Sequence, residues 1–412
     1  MKLSEELIWR GLIKDKTFDD ISWLDQPQTF YHGIDGSGDS LHVGNLAALV
    51  LAKRLMDHGW KAVLLVGGAT SLVGDPGGKE TERELKTKEE IEHNVSAIKS
   101  QIEKLFSSQP VTYVNNIDWF GDMRYLDFLR DVGKHYSMTE LTQRDYIAQR
   151  MGEHGSGISY AEFSYTLVQG YDFWYLYKHH QAVLQIGGSD QWGNMLSGVP
   201  LIRKKENAEA HVMTMPLVVN KLTGRKFGKS EEGAVWLNPS KTSETQFRQF
   251  WINTDDADVA DYLKIFTLIS KEEFDELITR HNSHPEAREA QRYLSDKVTE
   301  IVFGGDSSEA VSLTEKLITG QISVEEVDPG QVELPHFSEA KFHEPNMVVQ
   351  ALVATGLASS NSDARRLLES NAVYINGQQI NRSEFLPEDS KNGKALLRRG
   401  KAYKDSALIL LN

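Results

Sequence analysis

Phe30-Tyr31-His32-Gly33-Ile34, then Asp35-Gly36-Ser37-Gly38-Asp39-Ser40, then Leu41-His42-Val43-Gly44-Asn45, and farther on Ala62-Val63-Leu64-Leu65-Val66-Gly67-Gly68, decide the fold. The first piece is a short strand, and the second is a turn of glycine, serine and aspartate. The third opens an amphipathic helix with Leu46, Leu49, Val50, Leu51 and Leu55 on its buried side and Gly59 as its stop. The fourth is a fully apolar run of strand length. Strand, helix and parallel strand make the βαβ unit of an open α/β sheet, whose ligands lie beyond the carboxyl ends of the strands.

Outward from this unit, Val183-Leu184-Gln185-Ile186 reads as another strand, entering the turn Gly187-Gly188-Ser189-Asp190. Residues from about Glu89 to Tyr175 are expected to be mainly helical, and Lys241 to Thr319 entirely so. Gln321 to Asn346 carries three prolines and scattered acids and is expected to be a linker. Met347 to Asn412 starts with a helical pattern. It continues with Ala372-Val373-Tyr374-Ile375-Asn376-Gly377-Gln378, a strand and an Asn-Gly hairpin turn.

With 412 residues the chain exceeds one ordinary core, and no apolar run approaches a bilayer span. The N-terminus turns acidic at once and lacks a signal-peptide core. There are no cysteines, which excludes disulfides, thiolate metal sites and cysteine nucleophiles and fits a reducing cytoplasm. A net charge of −14 argues against non-specific coating of nucleic acid. Yet from 361 to 412 nine Lys and Arg stand against six Asp and Glu, a basic module on an acidic body. That contrast marks the tail for RNA contact.

Two signatures distant in sequence carry the chemistry. His42-Val43-Gly44-Asn45 opens a helix, whose unsatisfied N–H groups and partial positive charge suit phosphate. Lys226-Phe227-Gly228-Lys229-Ser230 brings two ammonium groups and a hydroxyl in a polar loop. Each alone is ordinary: a polar helix start, a basic surface loop. Gly74-Asp75-Pro76-Gly77-Gly78-Lys79, followed by Glu82-Arg83, is not a Walker A loop, because Glu80 follows Lys79 and the glycine spacing is wrong. Tyr165, Gln169 and Asp172 share one helix face. Such a stripe is usually solvated, but here Phe163, Leu167, Val168, Phe173 and Trp174 surround it and favour a buried polar pocket. Gln185 to Asn194, with three glycines, an acid, two glutamines and Trp192, fits a ribose and amino-acid binding wall.

In this order these motifs, with Leu65-Val66-Gly67-Gly68-Ala69-Thr70, Gln169-Gly170-Tyr171-Asp172-Phe173 and Phe250-Trp251-Ile252-Asn253-Thr254, closely resemble bacterial-type tyrosyl-tRNA synthetases of class I. The resemblance spans nearly the whole chain. The tail, with Ala364-Arg365-Arg366-Leu367-Leu368 and Leu397-Arg398-Arg399-Gly400-Lys401, resembles the S4 RNA-binding fold.

The resemblance implies a Rossmann-like catalytic domain over 1–232, with a helical insertion at about 115–180 and the lysine loop at 226–230. A helical anticodon-side domain over 233–320, a linker over 321–346 and an S4-like α+β domain over 347–412 would follow. It implies tyrosine activation with ATP and transfer to tRNA(Tyr) by a cytoplasmic homodimer, with no membrane contact. Tyr31 and Asp172 would hold the phenolic hydroxyl, Asp75, Tyr165 and Gln169 the α-ammonium, and Gln191 the carboxylate. Gly33, Asp35, Ser37, His42, Gly44, Asn45, Gly188, Asp190, Lys226 and Lys229 would line the ATP site, Asp190 on the ribose. His42, Asn45, Lys79, Arg83, Lys226, Lys229 and Ser230 would act in catalysis. Arg365, Arg366, Arg398, Arg399 and Lys401 would meet tRNA, and Mg2+ would arrive with ATP, with no protein-bound metal.

The chain departs from the commoner family pattern at Asn45 (often His), at Gly36-Ser37-Gly38 (often Pro-Thr-Ala), at His32 (often Cys) and at Ser230 (often Thr). Two rivals remain at this point. A tryptophanyl synthetase shares the fold, but Asp172 with Tyr31 favours a ligand bearing a hydroxyl over an indole. An RNA-binding protein without catalysis would not need His42, Asp75, Asp172, Asp190, Lys226 and Lys229 together.

Overall fold

The computed structural model describes residues 1–412 except 76–85, 143–144, 153–154, 222–223, 225–226, 228, 231–232, 305–308, 401–404 and 412. Lys79, Arg83, Lys226 and Lys401 therefore lie outside the described residues. Two compact units are present: Met1–Thr242 with Ile252–Phe303, and Ser243–Trp251 with Gly304–Asn412. The helical run expected over 241–319 is thus divided between them.

The first unit is built on six strands: β1 (Asp15–Lys16), β2 (Thr29–Asp35), β3 (Lys61–Gly67), β4 (Val111–Val114), β5 (Ala182–Gly188) and β6 (His211–Met215). Their order is β1-β6-β5-β2-β3-β4, all parallel except β1. From Ala62 to Gly67 every residue of β3 is buried, as a parallel strand covered on both faces requires. Strand β4 interrupts the stretch expected to be mainly helical. It is four residues long and none of them is fully buried, so it leaves little apolar signal.

Helices α1 (Leu3–Arg10), α2 (Val43–Asp57), α3 (Gly68–Val73) and α4 (Lys88–Leu105) flank the sheet. Between β4 and β5 run α5 (Ile117–Phe120), α6 (Tyr125–Asp131), α7 (Met138–Thr142), α8 (Asp145–Met151) and α9 (Tyr160–His180). Capping boxes start α4 at Thr87 and Glu90, and α9 at Ser159 and Glu162. Short α10 (Trp192–Met195) and α11 (Gly198–Glu206) follow β5, and β7 (Lys229–Ser230) pairs with β8 (Gly233–Ala234).

Two arginines brace this unit. Arg54 of α2, only 1% exposed, donates to the carbonyls of Ile265 (3.0 Å), Lys264 (2.8 Å) and Thr267. Arg10 of α1 donates to those of Lys264 (2.9 Å) and Ile269 (2.6 Å), and Glu6 accepts from Arg10 at 2.7 Å. Together they satisfy the carbonyl end of a later helix, Asp256–Phe266, and tie it beneath α2.

In chain order the remaining helices are α12 (Glu244–Ile252), which lies almost wholly in the second unit, then α13 (Asp256–Phe266), α14 (Lys271–Ser283) and α15 (Glu289–Phe303) of the first. The second unit adds α16 (Glu309–Ile318), α17 (Met347–Ala354) and α18 (Asn361–Glu369). Its strands β9 (His336–Ala340), β10 (Val373–Ile375), β11 (Gln378–Ile380), β12 (Lys394–Arg399) and β13 (Ser406–Leu411) form a sheet ordered β11-β10-β12-β13-β9. Asn376 (φ +47°) and Gly377 (φ +81°) make the hairpin turn between β10 and β11. Segment 321–346, expected as a linker, supplies β9 to this sheet and buries Val324, Val327 and Val332 against Leu317 and Leu408.

Candidate active site

At the deep end of the site a carboxylate sits where water does not reach. Asp172 projects from α9 and is 1% exposed. It accepts from Trp119 Nε1 at 2.8 Å and from Asn116 Nδ2 at 3.1 Å. Burial pushes its carboxyl up to about 7, against the opposing pull of these two donors. Asn116 is itself fixed, since its Oδ1 accepts from Ala69 N–H at 2.7 Å at the start of α3. The sequence reading missed Asn116 and Trp119, because they follow the strand it did not see.

Facing them, Tyr31 of β2 is fully buried and its hydroxyl has no partner among the described residues. Burial raises this phenol well above its ordinary range, and the nearby Asp172 charge raises it further, so the hydroxyl keeps its proton as a donor. Gln185, opposite Tyr31 in the β2–β5 register, and Gln169 of α9 each carry a buried Oε1 without a partner. Buried polar atoms left unpaired are costly, so each of the three marks a place where a polar ligand completes the bonding. Tyr165, on the same face of α9, is 7% exposed.

Nearer the mouth, Asp75 accepts from Gln191 Nε2 (2.8 Å) and Asn194 Nδ2 (3.3 Å). Asn194 also donates to Gln191 Oε1 at 3.2 Å and accepts from Thr166 Oγ1 at 3.0 Å. Asn194, quoted in the sequence reading only as the end of a glycine-rich stretch, is the hub of this network. Gly188 ends β5, and a Cβ on it would come within 2.8 Å of Asp190 Oδ1, so the carboxylate of Asp190 folds over the glycine backbone. Gly33 is exposed, and a Cβ there would have no neighbour closer than 3.9 Å, which leaves β2 open toward the mouth. Beside it, His32 Nδ1 lies 3.0 Å from the carbonyl oxygen of Ile186. A carbonyl only accepts, so Nδ1 carries the proton and Nε2 is left as an acceptor.

The two distant signatures meet at the start of α2. His42 is the N-cap, and its Nδ1 accepts from Gly44 N–H at 3.0 Å. Its Nε2 therefore bears the proton of the neutral ring. Asn45 Oδ1 accepts from His42 N–H at 3.1 Å, so Asn45 caps the helix and keeps Nδ2 as its donor. A Cβ at Gly44 would strike the His42 ring at 2.7 Å and approach the Phe227 carbonyl to 3.4 Å, so glycine lets Phe227 come close to the helix end.

Phe227 is held by Tyr262 (4.7 Å) and Phe266 (5.1 Å) of α13. Strand β7, Lys229–Ser230, pairs with β8, and residues 235–237 pair with 41–43. Val43 N–H donates to Val235 at 2.9 Å, and Leu237 N–H donates to Leu41 at 2.8 Å. Asp35 accepts from Ser71 Oγ (2.7 Å) and from Ser37 N–H (3.1 Å), which engages it in its own loop. Among the described residues no group of three or more His, Asp or Glu is arranged to hold a metal ion.

In the second unit Arg398 lies over the Tyr374 ring at 5.1 Å, and Arg399 is 3.3 Å from Asp405. Arg366 pairs with Asp363 at 2.7 Å on the exposed face of α18, beside exposed Arg365. No helix among the described residues is long and apolar enough to cross a membrane.

A parallel sheet with a helix end beyond β2 and a helical insertion before β5 is the architecture of a class I aminoacyl-tRNA synthetase. The family model for tRNA synthetases class I (W and Y) matches residues 24–317, and that for the tyrosine–tRNA ligase SYY-like C-terminal domain matches 326–404. The chain belongs to the bacterial tyrosine–tRNA ligase family. It is 40% identical over 426 aligned residues to tyrosine–tRNA ligase 2 of Bacillus cereus, covering all of both proteins. It is also 40% identical to the tyrosine–tRNA ligase of Streptococcus pneumoniae, over 97% of this chain and 98% of that one. Among solved structures, the C-terminally truncated mitochondrial tyrosyl-tRNA synthetase of Aspergillus nidulans superposes with a TM-score of 0.68 at 31% identity, over 76% of this chain and 93% of that one.

Proposed function

We propose that this protein is a tyrosine–tRNA ligase. It activates L-tyrosine with ATP to tyrosyl-adenylate and pyrophosphate, then transfers the tyrosyl group to the 3′-terminal adenosine of tRNA(Tyr). The observation that carries this reading is the buried pair of Asp172 and the unpartnered Tyr31 hydroxyl. A phenolic hydroxyl placed between them donates to Asp172 and accepts from Tyr31, so both of its capacities are used. Phenylalanine would leave the pair unsatisfied. An indole offers one donor and no acceptor, so it would leave the Tyr31 hydroxyl without a partner.

In the first step the tyrosine carboxylate forms a bond to the α-phosphorus of ATP while the bond from that phosphorus to the leaving pyrophosphate breaks. The attacking group is already ionised, so no protein base is required. The rate comes from alignment and from charge stabilisation on the leaving group. The N–H groups of Val43, Gly44 and Asn45 are already used within the protein, by Val235, the His42 ring and the His42 carbonyl. The donors are therefore side chains: His42 Nε2–H, Asn45 Nδ2, Ser37 and Ser230, with Lys79, Arg83, Lys226 and Lys229 supplying positive charge. Gly33, Asp35, Gly44, Gly188 and Asp190 line the nucleotide, with Asp190 accepting from its ribose. Mg2+ enters as part of the MgATP substrate.

Asp75 and Gln169 take the α-ammonium with Tyr165, and Gln191 stands near the carboxylate. Arg365, Arg366, Arg398, Arg399 and Lys401 contact tRNA phosphates. The enzyme works as a cytoplasmic homodimer, a reading supported by the absence of cysteine and by the exposed apolar residues Tyr125, Leu126 and Met138. Charging of purified tRNA(Tyr) with labelled tyrosine tests the activity. Charging with tyrosine that depends on ATP is the expected result, and charging with tryptophan in its place would overturn the proposal.

A further inference from the structure

The loop between β2 and α2 carries two glycines in six residues, Asp35-Gly36-Ser37-Gly38-Asp39-Ser40, and so has much backbone freedom to lose. It is nevertheless tied at both ends: Gly36 N–H donates to Ser71 Oγ at 2.8 Å, Lys241 pairs with Asp39, and one face of α4 supplies the rest. Asn94, 6% exposed, donates Nδ2–H to the carbonyl of Gly36 at 3.1 Å. Two helical turns later Gln101 donates Nε2–H to the carbonyl of Asp39 at 3.1 Å. Its Oε1 accepts from Leu41 N–H at 3.0 Å and from Ser40 Oγ at 3.2 Å.

The helix lies close enough that a Cβ on Gly36 would come within 3.0 Å of Val95 Cγ2. Leu41 is thereby held from two sides, by Gln101 at its N–H and by Leu237 at its carbonyl. The residue after Leu41 is His42. Neither amide reaches the mouth of the site itself.

We propose that Gln101, with Asn94, is a positioning residue for adenylate formation: α4 sets the backbone from Gly36 to Leu41 and through it the aim of the His42 ring. This rests on the reading of that loop and helix end as the ATP site. A misaligned donor array weakens stabilisation of the leaving pyrophosphate while the tyrosine pocket, built from β2, α5 and α9, stays as it is.

The test compares the full-length enzyme with Gln101→Met, which keeps the shape and removes the three bonds to the loop, and with Gln101→Glu, which keeps the accepting oxygen for Leu41 and Ser40. Asn94→Ala is measured beside them. Single-turnover formation of tyrosyl-adenylate, the KM for MgATP, tyrosine binding by intrinsic fluorescence and thermal melting are read for each. Gln101→Met is expected to slow activation or raise the ATP KM by about tenfold, the loss of one to two net hydrogen bonds. Tyrosine affinity stays unchanged and Gln101→Glu recovers part of the loss.

Unchanged activation in Gln101→Met overturns the inference. So does a parallel loss of tyrosine affinity and melting temperature with no recovery in Gln101→Glu, which is the mark of a structural role alone. If the unsubstituted enzyme fails to make adenylate from tyrosine, the proposed function falls first and the inference with it. An active unsubstituted enzyme whose activation Gln101→Met leaves unchanged removes only the inference.

Discussion

At Asp172 a carboxylate is buried and held by Asn116 and Trp119, and Asn116 is fixed in turn by the start of α3. At His42 the groups are a ring that caps a helix, the Asn45 amide that caps it in return, and a loop fastened from outside by α4. The first region is held by its own hydrogen bonds and, among the described residues, has the Tyr31, Gln169 and Gln185 atoms left to satisfy. The second keeps its donors on turns. Selection by a desolvated pocket needs rigidity, because unpaired groups penalise the wrong ligand. Stabilising a departing polyanion needs many donors at one place and tolerates approach along loops.

The sharpest way to break this comparison is to strip charge from the loop end. Lys229→Ala and Lys226→Ala are each expected to slow adenylate formation on the order of 100- to 1000-fold. Tyrosine binding measured by fluorescence changes little. Stopped-flow traces with unchanged rates would remove both lysines from the chemistry.

At the rigid end, Asp172→Asn keeps the shape but swaps an acceptor for a donor, and it is expected to lower kcat/KM for tyrosine on the order of 10- to 100-fold. The same carboxyl gives a pH signature. Because burial lifts it to about 7, tyrosine affinity is expected to rise as pH increases through that value, and Asp172→Asn flattens the curve. For stability the sign is opposite. A carboxyl raised in the folded state contributes stability that is complete below its ordinary value of 3.8 and is lost as pH rises toward about 7. Melting of the ligand-free enzyme between pH 5 and 8 should decline less in Asp172→Asn, and equal declines would contradict the assignment.

The smallest effect is expected far from both ends. Arg398→Glu or Arg365→Glu should raise the KM for tRNA several-fold and steepen with salt, while ATP–pyrophosphate exchange is untouched. Charging that is indifferent to both substitutions would refute the phosphate contacts. Arg366, already paired with Asp363, should matter less than Arg365.

The βαβ unit from Phe30 to Gly68 was legible because its strands are apolar, its turn is glycine-rich and its helix has one apolar face. The meeting of His42 with the lysine segment was suggested by chemistry alone. The means, Phe227 seated on Tyr262 and Phe266 and the pairing of 235–237 with 41–43, had no local sequence signal. Asn116, Trp119 and Gln101 escaped notice for one physical reason. Each acts on another element through a single amide or indole, and an isolated amide reads as surface polarity until the fold places it. Strands β4 and β6 were invisible because Val-Thr-Tyr-Val and His-Val-Met-Thr-Met show no period-two alternation between polar and apolar residues.

The most direct test of the central claim is ATP–pyrophosphate exchange with tyrosine, phenylalanine and tryptophan in turn, on the unsubstituted enzyme and on Asp172→Asn. The Asp172–Tyr31 pocket predicts exchange with tyrosine, none appreciable with the other two, and a narrowed gap between tyrosine and phenylalanine in the variant. Equal exchange with phenylalanine, or exchange with tryptophan in place of tyrosine, would contradict it.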